Sequence, residues 1–214
     1  RTSTLRIGTT VALAPFYHPV RLAEDCAVVD ILSNGRIEPA FGIGYLEAET
    51  DAYGVDFRKR ARQTDEFLQI VRRLWDGETV DWSSEFYDLR KARIFPRPVQ
   101  EGNIPLLVGG TAAPGFRRAA LYGDGYSGPI QNWPAYAEQV KLAGRDLSRM
   151  RYNLCSAYDM WTFVADDPDK AFYEIAPHAD YNLNTYARWQ EGESWGVKEM
   201  DVEELRRSGM VKVM

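Results

Sequence analysis

The stretch "IPLLVGGTAAPGFRRAALYGDGYSGPI", residues 104 to 130, holds the pattern that decides the fold. An apolar run ends in Gly109-Gly110-Thr111, a helical segment follows, and "DGYSGPI" opens a second short strand. A strand with no alternation of polar and apolar residues is buried on both faces, as in parallel β/α units. Glycines without side chains followed by a helix start also leave backbone N–H groups free for an anion. The other reading of the same turn is a strand-to-helix connection that uses glycine for its backbone freedom.

The pattern repeats outward from this unit. "LRIGTTVAL" (5 to 13) and "RIEPAFGIG" (36 to 44) read as strands, and "AYDMWTFVA" (157 to 165) as the fifth strand after "DGYSGPI". Between the first two, "VRLAEDCAVVDILS" places Val20, Ala23, Ala27 and Ile31 on one helical face, and "SNGR" stops it. "RARQTDEFLQIVRRLWDG" carries Phe67, Ile70, Val71, Leu74 and Trp75 at helical spacing, with Gly77 as terminator. "TVDWSSEFYDL" reads as a hairpin, and "DPDKAFYEIAPHADYNLNTYARW" as a helix with an Asp-Pro start. The charged tail reads as helical. Strands alternating with helices point to a parallel sheet. No GxGxxG follows the first strand, and glycines end several strands, which favours a barrel over a doubly wound sheet.

Composition sets the bounds. The chain has 214 residues, 45% apolar, with a formal net charge of −5 and no block of like charges. That balance argues against a nucleic-acid or membrane surface and for a small-molecule partner. Two isolated cysteines, Cys26 and Cys155, suit a reduced, cytoplasmic protein. His18 and His178 are the only histidines and lack a second ligand at i+4, so no metal site is expected.

An ordered series of pieces then carries a specific likeness: "HPVRLAED", the spacing D-x-L-S-x-G-R from Asp30 to Arg36, G-x-G-Y-x-x-x-E from Gly42 to Glu49, Gly54 with Arg60, and later "FPRPVQ", "IPLLVGG" and "RRAALYGDGY". Over roughly residues 3 to 190 the chain resembles the luciferase-like monooxygenases, the flavin- and deazaflavin-dependent relatives of bacterial luciferase. The resemblance implies a (β/α)8 TIM barrel, of which this chain is an incomplete stretch, about strands 3 to 7. The chain is then one partial domain, 1–214, with two strands before Arg1 and one after Met214 completing the barrel.

The likeness also implies a function. The expected activity is that of a flavin-dependent monooxygenase using reduced FMN, supplied by a separate flavin reductase, and oxygen to oxygenate a small organic substrate. Two alternatives stay open: a coenzyme F420-dependent oxidoreductase that transfers hydride, and a non-catalytic flavin-binding barrel. Gly109, Gly110 and Thr111 are expected to line the flavin phosphate site, and Thr9 and Thr10 to sit where the family bends its backbone against the ring, often through a non-proline cis peptide. Gly44 and Tyr45 are expected near the cofactor, with Tyr45 where close relatives of luciferase carry a phosphate-binding arginine. At most one of Arg117 and Arg118 should face a ligand. Glu49 matches the family motif, while Glu47 and Asp51 read as a solvated helix start. Phe16, Tyr17, Tyr126 and Trp133 are candidate walls of a flat apolar pocket. No catalytic residue is assigned, since the family's catalytic histidine is expected before Arg1. A homodimer or larger assembly is expected from the family.

Overall fold

A computed structural model describes residues 2–155, 162–189, 199–209 and 211–213. The chain forms two compact units, Arg1–Leu154 and Cys155–Met214. The first contains, in order, β1 (Ala12–Leu13), α1 (Pro19–Ser33), β2 (Ala40–Gly42), α2 (Glu47–Ala52), α3 (Arg60–Trp75), β3 (Val80–Ser83), β4 (Asp88–Ala92), β5 (Leu107–Gly109), α4 (Ala113–Tyr122), β6 (Gly125–Pro129), α5 (Trp133–Leu142) and all but the last residue of β7 (Arg151–Cys155). β3 and β4 form the expected antiparallel hairpin, whose turn is tied by the Phe86 and Tyr87 N–H groups donating to Ser84 Oγ.

The main sheet has the order β1-β2-β5-β6-β7, and every neighbouring pair from β1 to β6 is parallel. Strand order therefore follows chain order with no reversal. A doubly wound sheet would reverse at a switch point, so the topology is that of a barrel wall. Curvature is visible at the strand starts, where Glu38, just before β2, pairs with Arg6 and also with Arg151 at the start of β7. In a flat sheet three spacings of about 4.8 Å would hold those strands roughly 14 Å apart.

Alternation along the strands sorts the side chains into two faces. Phe41 meets Phe67 of α3, with ring centroids 5.6 Å apart, and Tyr126 meets Phe116 of α4 at 5.7 Å, so this face looks towards the helices. Ala12, Phe41, Val108 and Tyr126 share it by register. The opposite, inner face carries Leu13, Gly42, Gly109 and Ser127, with Val11 against both glycines. The helix layer is closed by the buried stripe of α3, from Phe67 to Trp75, and Trp75 Nε1 donates to the Ala23 carbonyl of α1 at 3.1 Å.

Two readings of the sequence change here. The buried face of α1 is Ala23, Cys26, Ala27 and Asp30, whereas Ile31 is exposed. Apolarity alone could not find it, because α1 is apolar nearly all round and its buried stripe ends in a carboxylate. Asp30 is fully buried and accepts from Val99 N–H at 2.8 Å, Gln100 N–H at 3.2 Å and Gln100 Nε2 at 2.7 Å. It latches the segment after the cis Phe95–Pro96 bond to α1. The Asp30→Asn variant turns one acceptor into a donor facing donors, and should lower the urea-unfolding free energy by about 1–2 kcal/mol; an unchanged midpoint would show the latch is idle.

The second change concerns the fifth strand. It is Arg151–Cys155, earlier than the expected 157 to 165. Its polar residues Arg151 and Asn153 hide it from a search for apolar runs. Residues 157–161 lie outside the described residues, and Thr162–Phe163 forms a different strand, β8.

In the second unit β8 pairs in parallel with β9 (Lys212–Val213), and α6 (Pro168–Trp189) and α7 (Val202–Ser208) complete it. Phe172, Ala176, Ala179, Leu205 and Val211 make its small core. α7 starts in a reciprocal cap between Asp201 and Glu204, as the charged tail allowed. No described helix is long and apolar enough to cross a membrane.

Candidate active site

In parallel β/α folds the strand C-termini collect functional groups. Here the ends of β2 and β5 are neighbours, which puts Gly44-Tyr45 and Gly109-Gly110-Thr111 at the same edge of the sheet. The chain leaving β5 is unusually close to α4. A Cβ on Gly110 would lie 3.0 Å from the Gly115 Cα, and one on Gly115 would lie 3.1 Å from the Gly110 Cα. Backbone therefore packs on backbone, which only glycine permits.

That contact brings the start of α4 against the strand end. No side chain caps α4, and Pro114 in its first turn has no N–H to satisfy. The N–H groups of Thr111 and Ala112 meet no acceptor among the described residues. Bare backbone donors at the positive end of a helix form a cradle that fits a phosphate. Beside it Ser127, the register partner of Gly109, is buried with a hydroxyl that has no partner among the described residues.

Below the turn the inner face is flat. Cβ atoms on Gly42 and Gly109 would fall 2.6 and 2.7 Å from the two methyls of Val11, so Val11 fills the space that both glycines leave. Val11 follows a cis peptide bond from Thr10, within the stretch that the family resemblance singled out. Thr10 is exposed. Thr9 is occupied differently: its hydroxyl donates to the Ala40 carbonyl at 2.7 Å and accepts from the Ala40 N–H at 3.1 Å, lacing the chain before β1 to β2.

Gly44 adopts a left-handed φ of 78°, and its carbonyl accepts from Arg60 Nε at 3.0 Å. Arg60, the first residue of α3, lies over the Phe57 ring at 3.5 Å, so of the Gly54 and Arg60 motif it is Arg60 that supports Gly44. Tyr45 is half-buried beside it. Of the two arginines on α4, Arg117 is exposed, whereas Arg118 turns inward and pairs with Asp65 of α3 at 2.5 Å. Arg118 thus serves helix packing.

The aromatic residues divide. Phe16 stacks on Tyr53 at 4.2 Å next to Gly44 and stays a candidate wall. Tyr126 does not: it is 0% exposed on the helix-facing side of β6. Trp133 packs on Tyr136 and Tyr152. Burial pushes the Tyr136 phenol up to about 12, so it remains neutral. Burial likewise raises the Cys26 thiol to about 12, in an apolar cavity of about 110 Å³ between α1, β1 and β2, away from the glycine turn. Val11 and Ser127 escaped the sequence reading; the glycines at 42 and 109 were the signal for Val11, because glycine inside a strand marks close approach.

The pattern of the luciferase-like monooxygenases matches residues 1–208. The chain belongs to the luciferase-like monooxygenase family. Among similar proteins of this family is the oxygenase component of the flavin-dependent trigonelline monooxygenase of Acinetobacter baylyi, 33% identical over half of this chain and 30% of its own length. The F420-dependent hydroxymycolic acid dehydrogenase of Mycobacterium tuberculosis is 26% identical over 98% of this chain and 64% of its own. The chain thus spans between about a third and two thirds of these luciferase-like relatives. The monooxygenase RslO1 of Streptomyces bottropensis superposes with a TM-score of 0.75 over 90% of this chain and 60% of its own, at 24% identity, which supports a luciferase-like barrel wall.

Proposed function

We propose that this protein acts in a flavin-dependent monooxygenase, holding reduced FMN from a separate reductase while oxygen and a small organic substrate meet at the strand ends. The observation that carries the reading is the turn at Gly109-Gly110-Thr111, bare of side chains at its two glycines, with the Thr111 and Ala112 N–H groups meeting no acceptor among the described residues. Those donors would hold the phosphate, and the Val11 floor between Gly42 and Gly109 would support a flat ring. The flavin supplies the oxygen chemistry when bound. The chain's residues would bind and orient it: Gly44, braced by Arg60, and Tyr45 would border the ring, Thr9 ties the chain before β1 to β2, and Phe16 on Tyr53 would supply an apolar wall that excludes water.

The relative of Acinetobacter baylyi favours oxygenation. A second reading, hydride transfer with coenzyme F420, is kept because the mycobacterial dehydrogenase aligns with nearly the whole chain. Titration of the purified full-length protein separates them. Tight binding of FMN, with oxygen uptake that exceeds the free-flavin rate when FMN is reduced and substrate candidates are added, is the expected result. Tight F420 binding without oxygen uptake would replace it with the second reading, and flavin binding without turnover of any substrate would leave a binding barrel.

A further inference from the structure

The glycine turn depends on a residue that no ligand would touch. Tyr126 is fully buried beneath it, its ring between Phe116 and Tyr136, the latter stacked at 5.2 Å. Its hydroxyl donates to the Gly110 carbonyl at 2.8 Å and accepts from Asn132 Nδ2 at 3.2 Å. The cis bonds of the described chain are Thr10–Val11 and Phe95–Pro96, so the Gly110–Thr111 peptide is trans. In a planar trans peptide the carbonyl and the following N–H point in opposite directions. A Gly110 carbonyl drawn towards Tyr126, on the helix side of the sheet, therefore turns the Thr111 N–H the other way. That N–H meets no acceptor among the described residues.

We propose that Tyr126 is a positioning residue for phosphate recognition: by holding the Gly110 carbonyl it fixes the plane of a peptide that glycine alone would leave free, and so presents the Thr111 N–H to a phosphate monoester. The inference rests on the proposed flavin phosphate reading. Gly128 belongs to the same device. A Cβ there would lie 2.3 Å from the Tyr126 hydroxyl oxygen, so only glycine at 128 lets the phenol reach Gly110.

Two variants test it from different sides. Tyr126→Phe removes the hydroxyl and keeps the ring packing, while Gly128→Ala keeps the hydroxyl and pushes it aside. Fluorescence titrations of the full chain with FMN and with riboflavin, which lacks the phosphate, give the preference for the phosphorylated form. In both variants the preference should fall about fivefold to tenfold, while the phosphate-free ligand binds within about twofold of wild type. Equal weakening of both ligands, tracking a lowered urea midpoint, would mean a purely structural tyrosine and overturn the proposal. An unchanged preference in both variants would overturn it as well. A wild type that binds both forms equally, or neither, would instead refute the phosphate reading itself, and the role of Tyr126 with it.

Discussion

Replacing Gly110 with valine is expected to weaken FMN binding by about 100-fold or more. The Cβ would arrive 3.0 Å from the Gly115 Cα, and both sides of that contact are backbone. Neither can rotate away, so α4 must retreat from the end of β5. The Thr111 and Ala112 N–H groups then lose their common focus, and with it two charge-assisted hydrogen bonds, each contributing about 1.5–3 kcal/mol. The helix field falls off within a turn, so a small retreat also weakens the electrostatic part. Fluorescence titration, with circular dichroism verifying that the variant is folded, measures the loss. Binding within threefold of wild type would place the phosphate elsewhere.

The largest effect on stability is expected from Asp65. The Arg118 guanidinium is only 7% exposed, held by Asp65 from α3 and by a 3.2 Å bond to the Ala61 carbonyl. Asp65→Ala leaves that cation buried with one weak acceptor and should cost about 3 kcal/mol. The reverse change is milder. Asp65 is 33% exposed, so in Arg118→Met water takes over the carboxylate and the methionine retains much of the packing, at about 1 kcal/mol. Urea unfolding of both variants and of the double variant Asp65→Ala with Arg118→Met gives the cycle, and the double variant should recover most of the loss seen in Asp65→Ala alone. If Asp65→Ala proves no worse than Arg118→Met, the pair is not carrying the junction of α3 and α4.

The sequence made the parallel wall readable because β5 is an uninterrupted apolar strand and α3 follows the helical repeat without exception. It hid β7, whose Arg151 reaches across the strand starts to Glu38, a contact that no local pattern encodes. The same limit applied to α1, where the buried residue with the most partners is Asp30. At the candidate site the glycines were legible as glycines. Their neighbours were not: Val11 is defined by absences at 42 and 109, and Tyr126 reads as a pocket wall in a loop after a strand, whereas it lies inside the short, glycine-flanked β6 on the helix-facing side. Arg117 and Arg118 drew notice as charges, although Arg118 neutralises an acid on another helix.

The wedge of Val11 between Gly42 and Gly109 also governs how this sequence can drift. Two strands each give up one side chain to the residue just before a third, so bulk at the three positions is a shared quantity that can be relocated but not increased. A methyl gained at 42 or 109 is viable only in a lineage that has already shed one at 11, and an alanine at 11 would open room for either. Descendants of this chain should therefore change these three positions together, and a survey of their variation would see three distant columns behave as one inherited trait.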